Sequence, residues 1–174
     1  MWDRPVGFST LLYIILEQQV SLASARATYE KLAKKLGNIT PKNFLTLNDE
    51  QLKKLGFSWQ KTKYGRIVAQ KIIDRELNLE QLEKMPDVLV KETLMAIKGI
   101  GHWTSDIYLL MVLLRADIWP HGDRALAVAA CEVFNMTKVP DYKTLQDFAV
   151  AWKPWRSVAA RLLWHHYLNT NRKK

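Results

Sequence analysis

Asp123 is the residue on which chemistry most readily centres. It follows the turn Trp119-Pro120-His121-Gly122 and opens the apolar helical run Arg124-Ala125-Leu126. A helix start favours the charged form of an acid, and a held carboxylate can stabilise a developing cation or orient a water molecule. The same position is a favoured N-cap, and most aspartates there only cap. Upstream, Leu94–Thr104 carries Gly99 and Gly101 two apart, at a turn between two helical patterns. Glycine permits positive φ and close backbone approach. The helix that follows begins with unpaired amides that attract an anion. Gly99, Gly101, His102 and Thr104 are thus candidates to hold a phosphate without reading a base. A glycine pair between helices is, alone, also an ordinary turn.

These groups need a scaffold, and helical periodicity dominates the chain. Leu12, Ile15, Leu16 and Gln19 share one face, as do Ile107, Leu110, Met111 and Leu114. Leu126, Ala129, Ala130 and Val133 repeat the pattern, and so do Trp155, Val158, Ala159, Leu162 and Leu163. On that last stripe Trp155 reads as core. Breakers at Gly37–Pro41, Gly56–Ser58, Pro86, Lys98–Gly101, Trp119–Gly122, Pro140 and Pro154 leave about eight to ten helices with short connections. The expectation is one all-α domain over residues 1–174, a compact bundle of two lobes with a cleft between them. The hairpin motif occupies about 92–114 and the acid turn 119–126, while the tail Asn171–Lys174 is expected to fray.

No apolar run reaches the roughly 18–20 residues of a membrane span, and Met1–Val6 carries no secretory signal. A single cysteine, Cys131, excludes a disulfide within the chain and a four-cysteine iron–sulfur site. It reads as plain core. Lys and Arg number 26 against 17 Asp and Glu, a net charge of +9, which favours a polyanionic partner such as nucleic acid.

The order of these features resembles the helix–hairpin–helix DNA glycosylase superfamily, which pairs a Gly-x-Gly hairpin with a downstream aspartate. Within it, the likeness is to the branch of bacterial 3-methyladenine DNA glycosylase II and its yeast counterparts. Three further stretches carry that likeness: Gly7-Phe8 with Ile14-Ile15-Leu16-Glu17-Gln18-Gln19-Val20-Ser21; Leu55-Gly56-Phe57-Ser58 with Lys61, Lys63 and Tyr64; and Trp152-Lys153-Pro154-Trp155-Arg156-Ser157 with Ala159, Leu163 and Trp164. The resemblance runs from Trp2 to Tyr167. The N-terminal β-rich domain of larger relatives and their short helical lead-in are missing from it.

The resemblance implies a monofunctional glycosylase that hydrolyses the N-glycosidic bond of alkylated purines in double-stranded DNA, with Asp123 as catalytic carboxylate. Bifunctional relatives place a lysine two positions after the second hairpin glycine, where this chain has Trp103, so no strand-nicking lysine is expected. The damaged base would be flipped out and stacked on Trp164, with Trp103, Tyr13 and Tyr108 lining its pocket. An indole face suits a positively charged base. Gln19 would wedge into the gap left in the duplex, with Gln18 beside it. Lys61, Lys63 and Arg66 read equally as phosphate contacts or as a solvated face, and Arg156 reads as structural. Main-chain carbonyls of Met95, Ile97 and Ile100 would hold a Na+ or K+ ion. No other cofactor is expected. A monomer working in the cytoplasm of a bacterium, at the nucleoid, or in a eukaryotic nucleus fits this reading. Two alternatives stand beside it: the same fold acting on uracil or deaminated bases, and a non-catalytic helix–hairpin–helix module that only binds DNA.

Overall fold

The structure, a computed structural model, describes residues 3–171. Most of the tail expected to fray, Arg172–Lys174, lies outside the described residues. Among the described residues ten α-helices follow one another: α1 (Phe8–Glu17), α2 (Leu22–Leu36), α3 (Pro41–Leu45), α4 (Asp49–Leu55), α5 (Trp59–Ile73), α6 (Asp87–Met95), α7 (His102–Met111), α8 (Arg124–Val133), α9 (Tyr142–Ala149) and α10 (Arg156–Asn171), with short 3-10 turns at Gln81–Lys84 and Val150–Trp152. No strand occurs among the described residues.

The boundaries follow local chemistry. Ser21, Thr40, Ser58 and Asp141 each accept a bond from the backbone amide three residues on, satisfying one orphan donor of α2, α3, α5 and α9. Asn48 and Gln51 form a reciprocal capping box on α4, and Gly56 ends that helix in the left-handed region.

Helix α1 is apolar on nearly every side, with Leu11, Leu12, Ile14 and Ile15 fully buried, so it lies at the centre and packs on α2, α5 and α7. Helix α7 buries every residue from Thr104 to Leu110. A first group of helices, α1–α5, gathers round α1, and a second forms where α10 packs on α8 and α8 on α9. Helices α6 and α7, the arms of the hairpin, pack on each other, and α7 packs on α1. Hydrogen bonds from Trp103 to Asp123 and from Arg161 to the Leu110 carbonyl tie α7 to the second group. One continuous core runs through both groups.

Periodicity chose the wrong faces near the chain's end. Trp155 (61% exposed), just before α10, and Val158 and Leu162 on it are exposed, while Ser157, Ala160, Leu163 and Trp164 are buried. A 3.6-residue repeat marks faces without saying which one is covered, and the packing of α8 on α10 decides it. Leu114 and Val133 are likewise exposed, because α7 ends at Met111 and α8 ends at Val133. Cys131 is only half-buried, its Sγ 3.3 Å from the Met136 carbonyl oxygen.

Candidate active site

Asp123 is the N-cap of α8: its Oδ1 accepts from the Leu126 amide at 2.9 Å. Two tryptophans from other helices reach the same carboxylate. Nε1 of Trp103 on α7 donates to Oδ2 at 2.9 Å, and Nε1 of Trp164 on α10 donates to Oδ1 at 3.2 Å. The acid is half-buried, and all three donors are neutral. Among the described residues it forms no ion pair.

The turn carrying Asp123 is clamped on both sides. Asp106, in the buried face of α7, accepts the His121 amide at 3.0 Å through Oδ2, while Lys91 of α6 pairs with its Oδ1 at 2.7 Å. On the other side Arg156 forks onto Asp117, through Nε at 2.6 Å and Nη2 at 2.9 Å. That guanidinium holds the Asp117 carboxyl below its ordinary range. The Ser157 hydroxyl accepts the Ile118 amide and donates to the Arg115 carbonyl. Arg156 is therefore structural, as its sequence context suggested. Lys91 and Asp106 escaped the sequence reading, although an acid inside an otherwise apolar helical stretch was the available signal.

The hairpin closes against α1 and α5. Gly99 has φ +98°, and a Cβ there would come within 2.1 Å of the Tyr64 ring, so both conformation and space demand glycine. Gly101 is exposed, and an added Cβ would meet nothing within 4 Å. It caps α7 without a side-chain bond, leaving the first-turn amides of that helix to other acceptors. His102, exposed at the start of α7, stacks on His121 with centroids 4.9 Å apart, and His121 in turn contacts Tyr142 at 3.9 Å. Burial first, then the neighbouring His102, pulls the His121 imidazole below its ordinary range.

Several expected roles change in three dimensions. Tyr108 is sealed in the core and cannot line a pocket open to DNA; burial raises its hydroxyl well above the usual tyrosine range. Trp164, expected as a stacking platform, is only 7% exposed and has its N–H on the acid. Thr104 is buried, and its hydroxyl accepts from Gln18 Nε2 at 2.8 Å instead of facing a phosphate. Gln18 also donates to the Gly99 carbonyl at 2.9 Å, which turns its amide inward as a staple between α1 and the hairpin. Lys61 donates to the Leu16 carbonyl at 2.7 Å, closing the end of α1, and Arg66 pairs with Asp49. Each cation thus has a partner within the protein and is not simply a solvated face. Burial lowers the Lys61 ammonium.

Tyr13 lies under the Arg4 guanidinium and beside Tyr29. It lines a cavity of about 410 Å³ formed by residues between Arg4 and Pro41, apart from Asp123, Trp103 and Trp164. Gln19 and Lys63 are exposed, Gln19 in the left-handed region at φ 54°. Of the carbonyls considered for a cation, that of Ile97 accepts the Ile100 amide at 3.0 Å, and a carbonyl keeps a second lone pair.

Residues 12–154 match the family described as HhH-GPD superfamily base excision DNA repair protein. The chain is 28% identical over 162 residues to the "Alkylbase DNA glycosidase-like protein mag2" of Schizosaccharomyces pombe, a match covering 90% of this chain and 76% of that one. Among solved structures, a DNA-3-methyladenine glycosidase from Bacillus halodurans aligns with TM-score 0.78 and 32% identity, over 95% of this chain and 77% of the other. The 3-methyladenine DNA glycosylase Mag1 of S. pombe, in complex with abasic DNA, aligns with TM-score 0.85 and 25% identity, over 90% and 78% of the two chains.

Proposed function

The chain belongs to the HhH-GPD superfamily of base excision DNA repair proteins, and from that membership we propose that it is a monofunctional DNA glycosylase releasing alkylated purines such as 3-methyladenine and 7-methylguanine from duplex DNA. The observation that carries the proposal is the Asp123 carboxylate, held at a helix start by neutral donors beside the hairpin. The names of the relatives support the substrate class.

The mechanism follows from charge. Alkylation at N3 or N7 makes the purine cationic, so it departs as a neutral base and leaves an oxocarbenium-like sugar behind. An ionised acid with no cationic partner stabilises that sugar by its full charge and orients water toward C1′. The α7 amides at Gly101 and His102 would grip a phosphate. Gln19, exposed at the end of α1, would fill the space left by the flipped nucleotide. Trp103 stands two positions after Gly101, so no amine is present there to attack C1′, and the product would be an intact abasic strand. Hard oxygen donors suit an alkali cation, and carbonyls of Met95, Ile97 and Ile100 would hold Na+ or K+ at the hairpin. The enzyme would act as a monomer.

Chromatography of bases released from methylated duplex DNA tests this reading. Wild type should free 3-methyladenine and 7-methylguanine, and the strand should break only on later alkaline treatment. Asp123→Asn should bind the same duplex and free neither base. Release of uracil or hypoxanthine but no methylated purine would move the activity to deaminated bases. Binding without any release by wild type would leave a DNA-binding module.

A further inference from the structure

A tryptophan beside a glycosylase acid invites the view that its ring face receives the base. The geometry here points elsewhere. We propose that Trp103 and Trp164 are positioning residues that act through their indole N–H groups, fixing the Asp123 carboxylate so that Oδ2 is the oxygen presented to the sugar. The proposal rests on the glycosylase reading above and adds which atoms set the acid.

The argument begins with lone pairs. An ionised carboxylate offers about four acceptor sites, two on each oxygen. Oδ1 accepts both the Leu126 amide and the Trp164 indole, which fills it. Among the described residues Oδ2 accepts only Trp103, so the open site is on Oδ2. An N-cap aspartate held by one amide can still swing about its side-chain torsions. Three donors from three helices, α7, α8 and α10, remove that freedom. Neutral donors also leave its charge uncancelled, where a lysine or arginine would cancel it. An indole is well suited to this task because it has one donor, no acceptor and a rigid ring. Burial agrees with the assignment: Trp164 is 7% exposed, too enclosed to offer a face, yet its N–H points at the acid. The clamps at Ser157 and Asp106 serve the same end, since they fix the Asp123 turn against α10 and α7, the helices that supply the indoles.

The test separates face from N–H. β-(3-Benzothienyl)alanine keeps the bicyclic ring and replaces the N–H by sulfur. Installed singly at Trp103 and Trp164 in the whole chain, it should lower the single-turnover release rate roughly 10- to 100-fold, as expected for losing a hydrogen bond to a charged group. DNA affinity should stay within about twofold of wild type, because the lost interaction matters at the transition state. In an Asp123→Asn background the same replacements should change the residual rate less than about twofold, since coupled residues are not additive. The isostere at Trp59, 72% exposed at the start of α5, should leave the rate unchanged. Retention of the wild-type rate by both isosteres would overturn the proposal, as would a full additional loss in the Asp123→Asn background. A second reading needs no substrate. In ¹⁵N spectra, the indole N–H signals of Trp103 and Trp164 should shift and exchange faster in Asp123→Ala. If neither moves, the cradle is absent whatever the enzyme's substrate, so the two proposals fail separately.

Discussion

Two aspartates flank the same turn and lead opposite lives. Asp106 is 1% exposed and meets the Lys91 ammonium at 2.7 Å, with its second oxygen on the His121 amide. Asp123 is half-buried and, among the described residues, meets only N–H dipoles. A full positive charge beside a carboxylate neutralises it and leaves a strut. N–H dipoles leave the carboxylate's charge unmatched, which is what the proposed chemistry at a cationic sugar requires. Residue type and turn are shared, so the partner separates the structural aspartate from the one proposed to do the chemistry.

Removing each charge in turn sharpens that contrast. Asp123→Asn should lower base release by roughly 10³-fold or more with little change in folding stability, a loss typical of a lone electrostatic catalyst. Release kinetics paired with a thermal melt would check both halves. Asp106→Asn should do the reverse, lowering stability by about 3 kcal/mol because Lys91 is left half-buried without its partner. A denaturant titration reads that change, and a larger loss of activity than of stability would break the comparison.

Gly99→Ala probes the hairpin itself. Positive φ and the Tyr64 ring together should cost about 2–4 kcal/mol and weaken DNA binding, measurable by unfolding and by fluorescence anisotropy. Lys61→Met should lower stability by roughly 1 kcal/mol and leave the salt dependence of DNA binding unchanged, because its ammonium serves the Leu16 carbonyl. A shallower salt slope would restore it as a phosphate contact.

The smallest effect belongs to His121. Its folded-state affinity for a proton is lowered, so the unfolded chain protonates first as pH falls through about 6.5. Stability should therefore decline on acidification below that point, and His121→Gln should flatten the decline in melts run between about pH 7.5 and 5.5. A melting temperature that rises on acidification would contradict the sign.

Much of this was written in the chain. The spacing of Leu12, Ile15 and Leu16, the breakers between helices and the Gly99–Gly101 pair specify an all-helical domain with a hairpin, because helix periods and glycine backbone freedom are local properties. Asp123 could be picked out for the same reason, since a turn followed by an apolar run places an acid at a helix start. The directions of the indoles were not local. Trp164 lies 41 residues from the acid it holds, and only the packing of α10 on α8 brings its N–H there. Tyr108 and Trp155 were misplaced for that cause, and the inward bonds of Gln18 and Lys61 were not legible for the same one. Periodicity defines faces of a helix, whereas the neighbours that cover a face, or accept a side chain's hydrogen bond, exist only once distant segments have packed.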